Sequence, residues 1–211
     1  MFVSWKIIQI ESMPIITEEI PKQGFEIVGE QIGAILTMEL AYQRTLKSLS
    51  DNFESFYERK TPYDKSEGVM VSVLYDNTNY DNRTQSNSNG PSTFHIDVYG
   101  SSPSKPNERG DGLAAALVKQ YLGMIRYILS STKYKSLLLP PNTIGGTYVD
   151  SIQMYDTENN QDAKNIRMGR IAFVVKLYET QALWEATVLT GNVTGVKLED
   201  ADSGYKYELT N

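Results

Sequence analysis

Two stretches of the chain repeat their apolar residues at alternating spacings of three and four. In residues 110–130, GDGLAAALVKQYLGMIRYILS, one row is Leu113, Leu117, Tyr121, Met124 and Ile128, and the next is Ala114, Val118, Leu122, Ile125 and Leu129. Lys119, Gln120 and Arg126 mark the wet side. Residues 25–49 keep the same period through Phe25, Val28, Ile32, Ile35, Leu36 and Leu40, then Tyr42, Leu46 and Leu49. Both stretches predict amphipathic helices, and a helix with one wide apolar side has to lie on another layer. Gly29 and Gly33 stand four apart in the first helix. That spacing would let another backbone approach, but at about 1 kcal/mol each relative to Ala they read as tolerated glycines.

The remaining apolar runs alternate with period two, the mark of strands. Residues 68–75 (GVMVSVLY) place Val69, Val71 and Val73 on one side. Residues 93–100 (TFHIDVYG) send Phe94, Ile96 and Val98 one way and His95, Asp97 and Tyr99 the other. Residues 148–155 follow, and residues 168–178 (MGRIAFVVKLY) carry Ile171, Phe173, Val175 and Leu177 on one face. Between the runs lie two polar segments, 76–93 and 156–165, rich in Asn, Asp and Ser, which read as hairpin connections, the first a long projecting loop. Pro62 ends any helix in the polar run after Asp51, and Asp111 is placed to cap the second helix. The expected fold class is α+β: a mainly antiparallel sheet of about four strands with two long helices packed on one face.

Both ends differ from this core, which spans residues 24–180. Residues 1–23 form an N-terminal arm in which Val3, Trp5, Ile7, Ile8 and Ile10 look extended while Pro14 and Pro21 keep the rest out of a helix interior. An exposed apolar arm must lie on its own core or on a neighbouring chain, and an added strand on the domain's own sheet is as good a reading as a contact between copies. Residues 181–211 form a C-terminal β extension, a meander with strands expected at 183–189, 196–198 and 205–209. Leu183 and Trp184 open it. Three short strands with few core residues need something to pack on.

Composition narrows the function. The formal net charge of −6 and the pI near 4.9 argue against a surface built to hold nucleic acid, which needs a concentrated basic patch. The chain has no cysteine, which removes disulfides, thiolate metal sites and thiol catalysis together and suits a reducing cytoplasm. The apolar N-terminus is interrupted by Lys6, Gln9 and Glu11 and makes a poor signal peptide, and no run approaches the ~18 apolar residues of a membrane helix. His95 and Asp97, two apart on one strand face, have the spacing of a metal pair or an acid–base dyad, and a metal-dependent hydrolase is the reading that follows from taking them so. With one histidine in the chain, a polar strand face is the simpler reading. The acids Asp150, Asp156, Glu158 and Asp162 lack the spacing of a calcium loop. No phosphate loop follows a strand and no serine sits on a nucleophile elbow, so the sequence points to no enzyme, no metal and no cofactor.

Taken together, the long first helix, the Pro62-containing run into a valine-rich strand, the hairpin into TFHIDVYG, the helix from Leu113 to Leu129 and the closing strand pair resemble the tail terminator or neck (head-to-tail joining) proteins of tailed bacteriophages. The resemblance covers residues 25–178 and lies in the order of elements. It implies a structural virion protein that forms a homo-oligomeric ring, usually a hexamer, at the head-proximal end of the tail. Such a ring ends tail-tube polymerisation, contacts tube and sheath proteins, and docks the head connector. DNA would pass through the lumen unbound, which an acidic chain suits, and assembly would take place in the host cytoplasm. The interface residues it suggests are Val3, Trp5 and Ile7 on the arm, His95, Asp97 and Tyr99 on the sheet, and Leu183 and Trp184 on the extension. The alternative is a baseplate or receptor-binding module whose loop 76–93, with Tyr63, Tyr75 and Tyr80 nearby, recognises a carbohydrate or protein ligand.

Overall fold

The first helical pattern becomes α1 (Gly24–Leu46), which buries Val28, Ile32, Ile35, Leu36 and Leu40. The computed structural model describes residues 19–59, 63, 68–80, 82–83, 87–104, 106–107, 109–155, 165–180, 191–195 and 206–210, with the backbone alone at 82–83, 87–88, 180, 191–195 and 206–210. At the start of α1 the Glu26 carboxylate accepts the Gln23 N–H at 2.8 Å, satisfying a donor that has no partner inside the helix. The helix stops at Leu46, short of Leu49, because Ser48 takes a left-handed φ of 53°. The second pattern becomes α2 (Gly110–Leu129), with Ala114, Val118, Tyr121, Leu122, Ile125 and Leu129 buried.

Asp111 does not cap α2. Arg109 holds the N-cap position and Asp111 lies in the first turn, its Oδ1 accepting the Gly112 N–H at 2.9 Å. Gly110 starts the helix two residues earlier than a capping Asp111 would allow, and the Asp111 carboxylate is placed near the cations Arg109 and Arg167, at 3.3 and 3.7 Å.

The strands are β1 (Phe53–Tyr57), β2 (Val69–Thr78), β3 (Asn82–Arg83), β4 (Asn87–Ser101), β5 (Ile144–Tyr155) and β6 (Ile166–Thr180). Five of them form a sheet in the order β1-β2-β4-β6-β5, with the two-residue β3 pairing against β4. The fold is α+β with a mainly antiparallel sheet, as expected, but the sheet is mixed and has five main strands rather than about four. β1 runs parallel to β2, with Phe53 opposite Val69 and Tyr57 opposite Val73. Every other pair is antiparallel. The polar stretch 76–93 is also shorter as a loop than its composition suggests, since β2 continues to Thr78 and β4 begins at Asn87. Ladder bonds to β6, from Asn87 opposite Thr180 onward, hold this polar segment extended whatever its side chains prefer.

Val69, Val71 and Val73 of β2, Phe94, Ile96 and Val98 of β4, and Ile171, Phe173, Val175 and Leu177 of β6 are all buried on the face that carries both helices. Each such side chain stabilises the fold by about 1.5–3 kcal/mol relative to exposure. Where Gly29 turns towards the sheet, the neighbour is the Tyr57 ring and not another backbone; a Cβ at Gly29 would lie 2.5 Å from Tyr57 Cε2, whereas one at Gly33 would lie 3.8 Å from Tyr57 Cβ. A polar knot ties the layers together. Tyr121 Oη donates to Asp51 Oδ2 at 2.6 Å, an Arg44 nitrogen donates to the Asp51 carbonyl, and the Phe53 ring lies between Arg44 and Tyr121 at 5.3 and 5.7 Å.

Contacts divide the chain into Met1–Thr180 and Gln181–Asn211. In the second unit β7 (Gly191–Gly195) pairs antiparallel with β8 (Lys206–Thr210), Gly191 opposite Thr210. β7 falls where a turn was expected, and the strands expected at 183–189 and 196–198 lie outside the described residues, as do Val3, Trp5, Ile7, Leu183 and Trp184.

Candidate interaction surface

The sheet face turned away from the helices carries the polar half of each alternating strand. Register places Ser72 of β2 beside Asp97 of β4, Asp97 beside Arg170 of β6, and Arg170 beside Gln153 of β5. Arg170 donates from Nε to Asp97 Oδ1 at 2.7 Å and from Nη2 to Asp97 Oδ2 at 2.8 Å, a fork matched to a carboxylate. The Tyr155 ring lies under the same guanidinium at 5.8 Å. The hydrogen bond to Asp97 holds Arg170 above its ordinary pKa against the opposing effect of burial.

His95, Asp97 and Tyr99 share this face, but the face is not bare at its centre. Asp97 is 1% exposed, and Ser72 and Met70 are buried with it. Part of the cover comes from Tyr63, between β1 and β2. Its ring stacks on Tyr99 at 5.7 Å while the Tyr63 hydroxyl donates to the Gly68 carbonyl. Burial, then the nearby Asp97 charge, pushes the Tyr99 phenol up. Glu58, directly after β1, has a left-handed φ of 55°, a conformation that costs a non-glycine residue about 1–3 kcal/mol. Its carboxylate accepts the Tyr75 N–H at 2.6 Å, next to the register shift between Tyr75 and Asn77 in β2.

What remains open on this face is a polar hollow of about 570 Å³ bounded by Glu58, Arg59, Asp76 and His95. His95 Nε2 lies 3.9 Å from Asp76 Oδ2, and both Asp97 oxygens are occupied by Arg170. His95 and Asp97 therefore serve separate partners and are not assembled as a dyad. Among the described residues no group of three His, Asp or Glu is placed to hold a metal ion. The tyrosines suggested for sugar stacking are engaged elsewhere. Tyr75 packs between Phe25 at 4.8 Å and Phe94 at 5.9 Å, Tyr80 donates to Glu179 at 2.9 Å, and Tyr63 lies on Tyr99. Arg170 and Tyr155 were not picked out from the sequence. The available signal was Arg170 as the one cation amid the apolar run MGRIAFVV, on the side of β6 opposite Ile171 and Phe173.

Two other surfaces stand out. Among the described residues β5 ends the sheet, bonded to β6 on one side only, and exposes Tyr148 (57%), Ile152 (41%), Met154 and Tyr155. Outside the helix layer, a groove of about 650 Å³ between α1 and α2 is walled by Tyr42, Tyr127 and Met124 and edged by Lys47, Lys119 and Lys133. Its Glu39 wall accepts the Tyr134 hydroxyl. No family model matches the chain, and no curated protein matches it either.

Proposed function

We propose that this chain is a structural virion protein that forms a ring at the head-proximal end of a phage tail, ends growth of the tail tube and joins the tail to the neck. The observation that supports the reading best is the β5 edge: twelve residues long, apolar in part, exposed, and paired on one side only among the described residues. An edge of this kind attracts further strands and is normally covered or blunted in a protein that acts alone. In a ring of identical copies it is covered by the next subunit, through a heterologous contact that closes by rotation. With the short strands β1 and β3 left aside, the order α1, β2, β4, α2, β5, β6 agrees with the order of elements in the tail-terminator resemblance.

In this reading the ring is a hexamer. Its partners are the tail-tube protein, the sheath protein where the tail is contractile, and the head connector. DNA passes through the lumen without specific contact, and the net charge of −6 favours its passage. The chain assembles in the host cytoplasm and ends in the virion. Electron microscopy of the purified protein with its tail-tube protein tests this: rings that cap tubes of uniform length are the expected result, and tubes of unchanged, variable length without caps would sink the reading.

A further inference from the structure

At β5 the core is unfinished in two respects. The backbone groups on its outer side have no strand partner among the described residues. The row of side chains facing the helix layer also runs on past the last covered position. Register puts Val149 opposite Phe173, Ile152 opposite Ile171 and Met154 opposite Gly169, so Val149, Ile152 and Met154 continue the core row, yet Ile152 and Met154 stay more than one-third exposed. A hollow of about 420 Å³ lies beside this rim, between Thr147, Val149 and Ile152 of the strand and, on the helix side, Arg126 of α2 and Ser130 just past its end. The opposite edge, β1, has five residues against twelve in β5.

Residues 2–10, FVSWKIIQI, have the pattern such an edge would take, with Val3, Trp5 and Ile7 on one side and Phe2, Ser4, Lys6 and Ile8 on the other. As a strand they would span about 30 Å, within the ~40 Å of β5 and beyond the ~17 Å of β1. Where the described chain begins it is in solvent. Glu19, Ile20, Pro21 and Lys22 are all exposed, Ile20 by 67%, with Lys22 Nζ paired to Glu30 of α1 at 2.6 Å.

We propose that residues 2–10 of one copy add as an extra strand to the outer edge of β5 in the next copy. Val3, Trp5 and Ile7 turn towards the helix side and cover Val149, Ile152 and Met154. Main-chain hydrogen bonds supply affinity, and the hollow beside Arg126 and Ser130 takes a large side chain such as Trp5. The occupant being a second copy, the inference rests on the ring reading. It adds that the donor and the acceptor are different parts of the chain, which makes the contact directional.

The absence of cysteine gives a clean background for the test. Val3→Cys or Trp5→Cys is combined with Ile152→Cys in the full chain, oxidised mildly, and run on denaturing gels without reductant. Native mass is measured before oxidation. The expected result is a reductant-sensitive ladder above the dimer for at least one pairing, with single-cysteine chains giving dimers at most. Replacing Ile152→Cys by Tyr148→Cys, on the other face of β5, should cut the yield at least threefold. A monomer with an internal link overturns the proposal in favour of pairing within one chain, and equal linking at Tyr148 overturns the facing assigned to Trp5. Rings by native mass without a ladder overturn the arm contact and leave the ring reading standing. A monomer by native mass removes both.

Discussion

Asp97 and Arg170 stand opposite each other on neighbouring strands, joined by two hydrogen bonds of 2.7 and 2.8 Å, and the carboxylate is almost wholly buried. A buried charge whose partner is removed keeps its desolvation cost and loses the compensation. Arg170→Met should therefore destabilise the core by about 3 kcal/mol, whereas Asp97→Leu combined with Arg170→Met should return to within about 1 kcal/mol of the parent. Urea unfolding of the two variants and the parent reads this directly. An equal loss in the single and double variants would mean that the pair contributes nothing specific.

The second prediction concerns alkaline pH. Tyr57, Tyr80, Tyr99, Tyr121 and Tyr134 are all held above the ordinary phenol value of 10.0. For Tyr121 the cause is burial first and then the hydrogen bond to Asp51, and for Tyr134 it is the hydrogen bond to Glu39 first. Tyr80 is pushed up to about 12, by burial and then its bond to Glu179. A phenol with a raised folded pKa stays protonated in the fold while the unfolded chain ionises, so its contribution is complete below pH 10 and is lost as pH rises through the folded value. The urea midpoint should be flat up to about pH 10 and fall above it. A fraction of the 14 tyrosines should show delayed phenolate absorbance, appearing only as the fold is lost. Tyr121→Phe should weaken the slope as well as cost about 1.5–3 kcal/mol, the worth of a hydrogen bond to a charged group.

Two glycines should respond in opposite directions to alanine. Gly68 has a φ of 78°, and a Cβ there would run into the Asn52 carbonyl, so Gly68→Ala should cost at least about 2 kcal/mol. Gly123, on the exposed side of α2, has nothing within 4 Å of such a Cβ. Gly123→Ala should raise stability by about 0.8–1 kcal/mol through helix propensity alone. Thermal melts of both variants check the pair of signs.

The β5 edge should separate folding from assembly. Ile152→Lys places a charge on an exposed strand residue and should leave monomer stability within about 0.5 kcal/mol. The same substitution should abolish rings in micrographs and in native mass. If rings persisted at parental abundance, β5 would not be a contact between copies.

Both helices and four of the strands were legible because their apolar residues keep one period over long runs, as Val118, Leu122 and Ile125 do in α2 and Ile171, Phe173 and Val175 do in β6. β1 was not legible. In FESFY the residues Glu54 and Ser55 break the alternation, and what holds the strand is a parallel ladder to β2, set by a partner twelve or more residues away. The polar ends of β2 and β4 were hidden for a similar reason, since ladder bonds from β2 to β4 and from β4 to β6, and not side-chain preference, keep Asn77, Asn87 and their neighbours extended. The face shared by His95, Asp97 and Tyr99 followed from alternation alone. That Asp97 is held by Arg170, and that Tyr63 stacks on the neighbouring Tyr99, follows from how strands far apart in sequence are brought side by side, which no local pattern records.

β4 lies in the middle of the sheet, yet one of its two neighbours is made much later than the other. Asp97 leaves the ribosome 73 residues before Arg170. At about 5–20 residues per second the nascent chain waits roughly 4–15 s for β6. During that interval α2 has been synthesised but half of the floor beneath it is missing, and the inner side of β4 is open to any passing strand. The molecule is therefore most vulnerable to aggregation while still attached to the ribosome, and slowing translation between the codons for β4 and β6 should lower the soluble yield without changing the stability of what does fold.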